Sequence, residues 1–126
     1  MRSILFVGAL ATSIACATAG TTASGARHDA NLITEEEVIA SNGANAYEVI
    51  SRARPSFLQQ HGYTSTNTGQ STYPAVYLNG QSYGEISSLR SIPAGQIKEI
   101  RYYSATDAVT RFGSNNGTGI IQITTK

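Results

Sequence analysis

The order of elements near the C-terminus is the feature that most constrains how this chain can fold. Residues 98–103 carry the apolar and aromatic side chains of a strand, and Ser104 with Asp107 is an N-cap pattern for a short helix. Gly113 stands where that helix should end, and a β-branched run over residues 119–125 predicts a last strand. The buried stripe of the helix is expected to comprise Ala105, Ala108, Val109 and Phe112. A strand, a helix and a strand in close succession predict a compact α/β unit.

The glycines of this tail follow the predicted helix and do not precede it. Phosphate-binding loops need the opposite order, because the anion is held by free N–H groups and the positive dipole end at a helix N-terminus. The order therefore argues against a phosphate or nucleotide site. We interpret Gly113, Gly117 and Gly119 as structural glycines that permit positive φ and close backbone packing, with residues 114–116 in a tight turn.

A hairpin is predicted in the middle of the chain. Asn79 and Gly80 form a two-residue turn signal, because both central positions of such a turn need positive φ. The turn would join strands at residues 75–78 and 81–83.

Helices are predicted before this hairpin. Thr34 with Glu37, and Asn45 with Glu48, are pairs with the spacing of helix N-caps. Together with the C-terminal elements they predict an α+β (α/β-like) fold, in which two or three short helices pack on a small mixed β-sheet.

The N-terminus is typical of an exported protein. Residues 1–15 combine a positive start with an apolar stretch too short to span a bilayer, which predicts a signal peptide. The only cysteine, Cys16, follows Ser-Ile-Ala, which resembles a bacterial lipobox, so we expect Cys16 to carry the lipid. The alternative is ordinary cleavage after Ala19, which would remove the cysteine and leave a soluble periplasmic protein. Residues 16–31 are small and polar, typical of a flexible tether, and residues 32–126 would form the folded domain.

Charge and side-chain chemistry exclude several functions. Without Arg2, eight Lys and Arg residues balance eight Asp and Glu, and no basic run occurs, so we expect no nucleic-acid partner. His28 and His61 lack the partner ligands of a zinc site, and Glu35 to Glu37 suit a helix start better than a calcium loop. No nucleophile with a base beside it is recognisable. We therefore predict no metal, no cofactor and no enzymatic activity.

Tyrosines are the candidate recognition residues. Tyr63 and Tyr73 bracket a long polar loop at residues 62–73, and Tyr83 lies near a predicted strand end. Tyrosine offers rigid contact area together with one hydroxyl, and long loops often carry binding residues. We therefore predict Tyr63, Tyr73 and Tyr83 as partner-binding or ligand-binding residues.

The folded region resembles the plug domain of TonB-dependent outer-membrane receptors. The resemblance rests on an ordered series of short stretches between residues 32 and 126: ITEEEVI, NAYEVISRARP, AVYLNG, IP, IKEIR, AVTRFG and GIIQITTK. The receptors continue into a β-barrel and carry a TonB box, and this chain shows neither, so we expect no transport activity of its own.

The resemblance implies a plug-like fold and a place in the cell envelope. We expect a non-catalytic interaction module on the periplasmic face of the outer membrane, held by the lipid on Cys16 and bound to an envelope or outer-membrane protein. The alternative function is a periplasmic protein that binds a small peptide, glycan or chelate.

Overall fold

The computed structural model describes residues 29–61 and 71–126. The predicted signal peptide, Cys16, most of the predicted tether and Tyr63 lie outside these ranges. Five strands and three α-helices form in the described part of the chain. The strands are β1 (Leu32–Ile33), β2 (Ala75–Leu78), β3 (Gln81–Gly84), β4 (Ile97–Tyr103) and β5 (Ile120–Thr125). The helices are α1 (Glu35–Ser41), α2 (Ala46–Ala53) and α3 (Ala105–Phe112).

Short 3₁₀ helices complete the described secondary structure. They span Pro55–Leu58, Ile86–Ser91, Ala94–Gln96 and Ser114–Asn116.

The five strands form one mixed sheet in the order β1-β4-β5-β2-β3. Strands β2 and β5 are parallel, and the other neighbouring pairs are antiparallel. The predicted α+β fold with a small mixed sheet is confirmed. Strand β1 was not predicted, because two residues are too few for a periodic signal; it exists through pairing with Ile100 and Arg101 of β4.

Helix starts follow the predicted capping residues. The Thr34 hydroxyl accepts from the Glu37 N–H while the Glu37 carboxylate accepts from the Thr34 N–H, a reciprocal capping box. Asn45 caps α2 by accepting from the Glu48 N–H at 3.0 Å. Ser104 caps α3 in the same way, through the N–H of Asp107. Local sequence therefore sets where all three α-helices begin.

One face of the sheet carries the main core. Helices α1 and α2 and the 3₁₀ helices around Phe57 and Leu89 cover this face. Antiparallel partners point to the same side of a sheet, so Ile100 and Ile123 both face this core. The buried members of the cluster are Ile33, Val38, Ala46, Val49, Ile50, Phe57, Val76, Leu89, Ile92, Ile97, Ile100, Ile121 and Ile123.

The opposite face of the sheet packs on α3. The Phe112 ring lies 5.0 Å from the Tyr77 ring and 5.4 Å from the Tyr103 ring, measured between centroids. Ala108 is buried as predicted, but Val109 is 38 % exposed and does not belong to a buried stripe. Helix α3 covers only part of this sheet face. Val109, the residue after Ala108, therefore stays exposed although the apolar pattern predicted that it would be buried.

The turn residues agree with the sequence prediction except at one glycine. Asn79 and Gly80 have φ of 50° and 84°, which makes the turn between β2 and β3 a two-residue hairpin turn with positive φ at both positions. Gly113 and Gly119 also have positive φ, at 99° and 89°. Gly117 does not: its φ is −64° and an added Cβ would meet nothing within 4 Å. Gly117 lies in a turn, as predicted, but the expected positive φ and close packing are wrong, because as C-cap of the preceding 3₁₀ helix it keeps right-handed helical backbone angles.

Candidate binding surface

A cleft opens at the end of the sheet where β2 and β5 begin and β3 ends. Its volume is about 340 Å³. Tyr73 and Pro74, just before β2, form one wall, and the glycine-bearing tail just before β5 forms another. Gly84 and Glu85, at the end of β3, complete it. Because β2 and β5 are parallel neighbours, their leading segments meet at the same sheet end.

A second cleft of about 210 Å³ adjoins the first one. Ser71, Tyr73 and Glu85 line both clefts, and Ile86 and Ser87 complete the smaller one. We call the two together the Tyr73 cleft. Ser71, Tyr73 and Glu85 are thus the residues common to both halves of the cleft.

The structure places the predicted tyrosines as follows. Tyr73 lies in the cleft wall and is 42 % exposed. Tyr83 is 44 % exposed on β3, one residue before Gly84 of the cleft. Tyr73 therefore lines the cleft, whereas Tyr83 is not among its lining residues but lies next to one of them along the chain. Tyr63 lies outside the described residues and stays a prediction.

Glu85 is a cleft residue that the sequence did not single out. It follows β3 directly and precedes the 3₁₀ helix Ile86–Ser91, and it is exposed. Four other carboxylates form ion pairs: those of Asp29, Glu35, Glu37 and Glu48. Within residues 29–61 and 71–126 the Glu85 carboxylate has no such partner. No sequence pattern marks it, because only the convergence of three chain segments makes a cleft around it.

The tail wall of the cleft begins at the C-terminal end of α3. Ser114 and Asn115 line the cleft immediately after the helix ends. The next residue, Asn116, is buried, and its side-chain amide donates to the carbonyls of Phe112 and Gly113 at 3.1 and 3.2 Å. A helix C-terminus carries partial negative charge. This end of the cleft is therefore electrostatically unsuited to a phosphate, in line with the order of elements in the sequence.

Strand β3 forms an edge of the sheet beside the cleft. All four of its residues are exposed, and within the described part of the chain it pairs only with β2. Val76 pairs with Gly84 and Tyr77 pairs with Ser82, so Tyr83 is the extra residue of a bulge. Bulges at sheet edges redirect a side chain away from the regular ladder. Over residues 29–61 and 71–126 no further strand pairs with the outer edge of β3, so an extended segment from another molecule can pair there.

Several other polar side chains in the described residues make contacts within the fold. His61 Nε2 lies 2.8 Å from the Ser56 carbonyl, and its ring lies 5.2 Å from the Tyr102 ring. Burial raises the pKa of the Tyr102 phenol. The Ser104 hydroxyl donates to the Asp107 carboxylate at 2.8 Å as part of the α3 cap.

Metal-ligating side chains do not gather in the described part of the chain. Over residues 29–61 and 71–126, no three His, Cys, Asp or Glu side chains lie close enough together to hold a metal ion.

Comparison with protein-family models, with curated proteins and with solved structures found no match to this chain. The resemblance to a plug domain therefore rests on the sequence motifs alone. None of the helices in the described residues has the length and apolar character needed to cross a membrane.

Proposed function

We propose that this protein is a non-catalytic interaction module of the cell envelope, similar to the plug domain of TonB-dependent receptors, that binds a partner protein. The binding surface is formed by the outer edge of β3 and the Tyr73 cleft. The partner contributes an extended segment that adds to β3 as a further strand. Main-chain hydrogen bonds supply affinity in this mode of recognition, and pockets for side chains supply specificity.

The open edge of β3 is the observation that carries this proposal. The strand is fully exposed, carries no charged residue or proline, and has Tyr83 at its bulge. Natural sheets commonly protect an edge with charged side chains, proline or a covering element. The sequence QSYG protects this edge only by its shortness and its bulge.

The ordered plug-like motifs support the envelope assignment. Six of the seven motifs overlap a strand of the sheet or an α-helix, and the IP motif lies between two 3₁₀ helices. Export and lipid attachment at Cys16 belong to the same proposal. Mass spectrometry of the mature N-terminus tests both. A lipid-modified Cys16 supports the anchor. An unmodified N-terminus at Gly20 contradicts it and supports a soluble periplasmic protein instead.

Site-specific photo-crosslinking in intact cells tests partner binding. A benzoylphenylalanine at position 83 is expected to capture a defined protein partner. The same group at Thr106, which is exposed on α3 and does not line the cleft, is the matched control. Equal capture at the two positions, or none at position 83, contradicts the proposal.

A proline at position 82 tests strand addition itself. Leu78 and Gln81 flank the two-residue turn and form its hydrogen-bonded pair, so the Ser82 N–H in the next pair points away from β2. Ser82→Pro removes this outward N–H donor and is expected to abolish capture at position 83. Ser82→Ala keeps the N–H donor and is expected to keep the capture. Thermal unfolding of both variants separates lost binding from lost folding.

A small-ligand binding function is the second candidate. Its support is the size of the Tyr73 cleft, whose larger part lies at the lower end of the range of ligand pockets, roughly 300–1,000 Å³. A ligand of the native state must raise the unfolding midpoint. A thermal-shift screen of peptides, glycans and metal chelates therefore tests it, and Tyr73→Ala should cancel any shift that arises in this cleft.

A further inference from the structure

We propose that the Tyr73 cleft binds a cationic side chain, an arginine or lysine of the partner segment, through the Glu85 carboxylate and the Tyr73 ring. This inference rests on the proposed function, since it names the chemistry that the same surface recognises. It assigns a binding role to Glu85.

The charge of the cleft is the first support. Glu85 is the charged residue in its lining, and it lines both halves. The described part of the chain supplies no cation to it. Residues 62–70, which connect to the cleft wall at Ser71, contain no Lys or Arg in their sequence. Neither the described residues nor residues 62–70 therefore supply a cation to this carboxylate.

The tail wall of the cleft adds polar but uncharged residues. Ser114 and Asn115 begin the 3₁₀ helix that follows α3, and the carbonyls of Phe112 and Gly113 accept from the Asn116 side chain. The nearby basic residue of α3, Arg111, is engaged elsewhere: its guanidinium lies 5.3 Å from the centre of the Tyr103 ring. A cation in the cleft thus lies beside the Glu85 carboxylate and next to uncharged polar residues of the tail.

The aromatic wall suits the same group. Tyr73 is 42 % exposed and lines both halves of the cleft. A guanidinium or ammonium group over a tyrosine face gains a cation–π interaction, and a planar guanidinium can also form two parallel hydrogen bonds to a carboxylate. Arginine is therefore expected to bind more tightly than lysine.

The position of the cleft connects it to the edge strand. Gly84 ends β3 and Glu85 follows it, so an extended segment paired along β3 would pass the cleft as it leaves the strand. A basic side chain near that end of the segment would enter the cleft. Main-chain pairing with β3 binds the segment, and Glu85 with Tyr73 gives specificity for a basic side chain in it.

Direct binding to the full chain tests the inference. The probe is acetyl-Thr-Arg-Thr-amide, and its matched neutral control replaces arginine with citrulline. Backbone amide chemical shifts of Tyr73, Glu85 and their neighbours report binding at the site. The arginine peptide is expected to bind about tenfold more tightly than the citrulline peptide, because a charge-assisted hydrogen bond is replaced by a neutral one. Raising the salt concentration is expected to reduce this difference.

Two carboxylate variants complete the test. Glu85→Gln is expected to lower the affinity for the arginine peptide to that of the citrulline peptide. Glu36→Gln, at an exposed glutamate of α1 remote from the cleft lining, is the matched control and should leave it unchanged. Both positions are exposed, so neither variant is expected to disturb folding, and equal unfolding midpoints check this.

The possible outcomes distinguish this inference from the proposed function. Equal affinity for the two peptides, or unchanged affinity in Glu85→Gln, overturns the cationic assignment while capture at position 83 would still support a protein partner. Agmatine carries a guanidinium on a short chain without a peptide backbone. If agmatine binds as tightly as the arginine peptide, the cleft recognises a free small cation and the partner segment is not its ligand.

Discussion

The side chain of Asn79 is hydrogen-bonded to Thr125, 46 residues further along the chain. Its Oδ1 atom accepts from the Thr125 N–H at 3.0 Å, and its Nδ2 atom donates to the Thr125 hydroxyl, also at 3.0 Å. The Asn79 N–H in turn donates to the carbonyl of Ile123 at 2.8 Å. One residue therefore sets the hairpin turn after β2 and also holds the end of β5 beside it.

We expect Asn79→Gly to destabilise the protein by about 1–3 kcal/mol, because glycine keeps the positive φ but loses both side-chain hydrogen bonds. Asn79→Asp keeps the acceptor and the turn geometry and loses only the donor, so its loss should be smaller. Urea denaturation measures both free energies of unfolding. A stability of Asn79→Gly equal to that of the wild type would show that the Thr125 contacts are not stabilising.

Gly119 and Gly117 form a matched pair for substitution. An alanine Cβ at Gly119 would lie 2.8 Å from the Tyr103 carbonyl oxygen and 2.9 Å from the Tyr102 hydroxyl, at a φ of 89°. We expect Gly119→Ala to cost at least about 2 kcal/mol, from the unfavourable φ together with the collision against backbone. Gly117→Ala, with φ of −64° and open space, should be neutral or stabilising by up to about 1 kcal/mol. Thermal unfolding of the two variants provides the comparison, and similar losses in both would contradict it.

Asn116 is the buried polar residue that closes the C-terminus of α3. Its amide serves two carbonyls, and its Oδ1 atom accepts from the Tyr77 hydroxyl at 3.4 Å. Asn116→Ala is expected to lower stability by about 1–3 kcal/mol, because the Phe112 and Gly113 carbonyls lose their donor. The adjacent, exposed Asn115 serves as control, and Asn115→Ala should stay within about 0.5 kcal/mol of the wild type. Denaturant midpoints that fall equally in the two variants would argue against this cap.

Tyr102 makes stability depend on pH in the alkaline range. Burial raises the pKa of its phenol above the usual 10.0. As the pH rises past that value, the unfolded chain releases the proton before the folded chain does, so the free energy of unfolding falls. This contribution is fully present below pH 10.0 and is lost as the pH rises through the raised pKa.

The matching experiment compares the wild type with Tyr102→Phe, which keeps the stacking on Phe57 but has no phenol to titrate. Above about pH 10 the wild type should lose stability more steeply than the variant, and below about pH 9 the difference between them should be constant. Parallel curves over the whole range would mean that this phenol does not contribute.

Local signals predicted much of the fold. The caps at Thr34, Asn45 and Ser104 and the turn at Asn79-Gly80 were readable, because the groups that form them lie within three residues of one another. Gly117 and Val109 were misjudged for a related reason. The φ that a glycine adopts depends on the geometry of the turn in the folded protein. The burial of an apolar side chain on a helix depends on how the helix packs on the sheet.

The binding surface was only partly predictable. The sequence indicates Tyr73 as a residue bracketing the polar loop and Tyr83 as one near a strand end; in the structure both are exposed, and Tyr73 lines the cleft. No sequence pattern marked Glu85 as a binding residue. Its place in the cleft arises because the segments before β2, after β3 and before β5 lie close together in the fold. Nothing in the local sequence around Glu85 encodes that arrangement.

By itself, the sequence determined where the three α-helices and the hairpin of the described residues begin, since backbone preferences depend on a residue and its near neighbours. Only the tertiary structure decided the strand order β1-β4-β5-β2-β3, the bond from Asn79 to Thr125, and the cleft at the sheet end. These features join residues distant in the chain, and burial of the shared core, which depends on total apolar area and shape, selects among the arrangements that local preference allows.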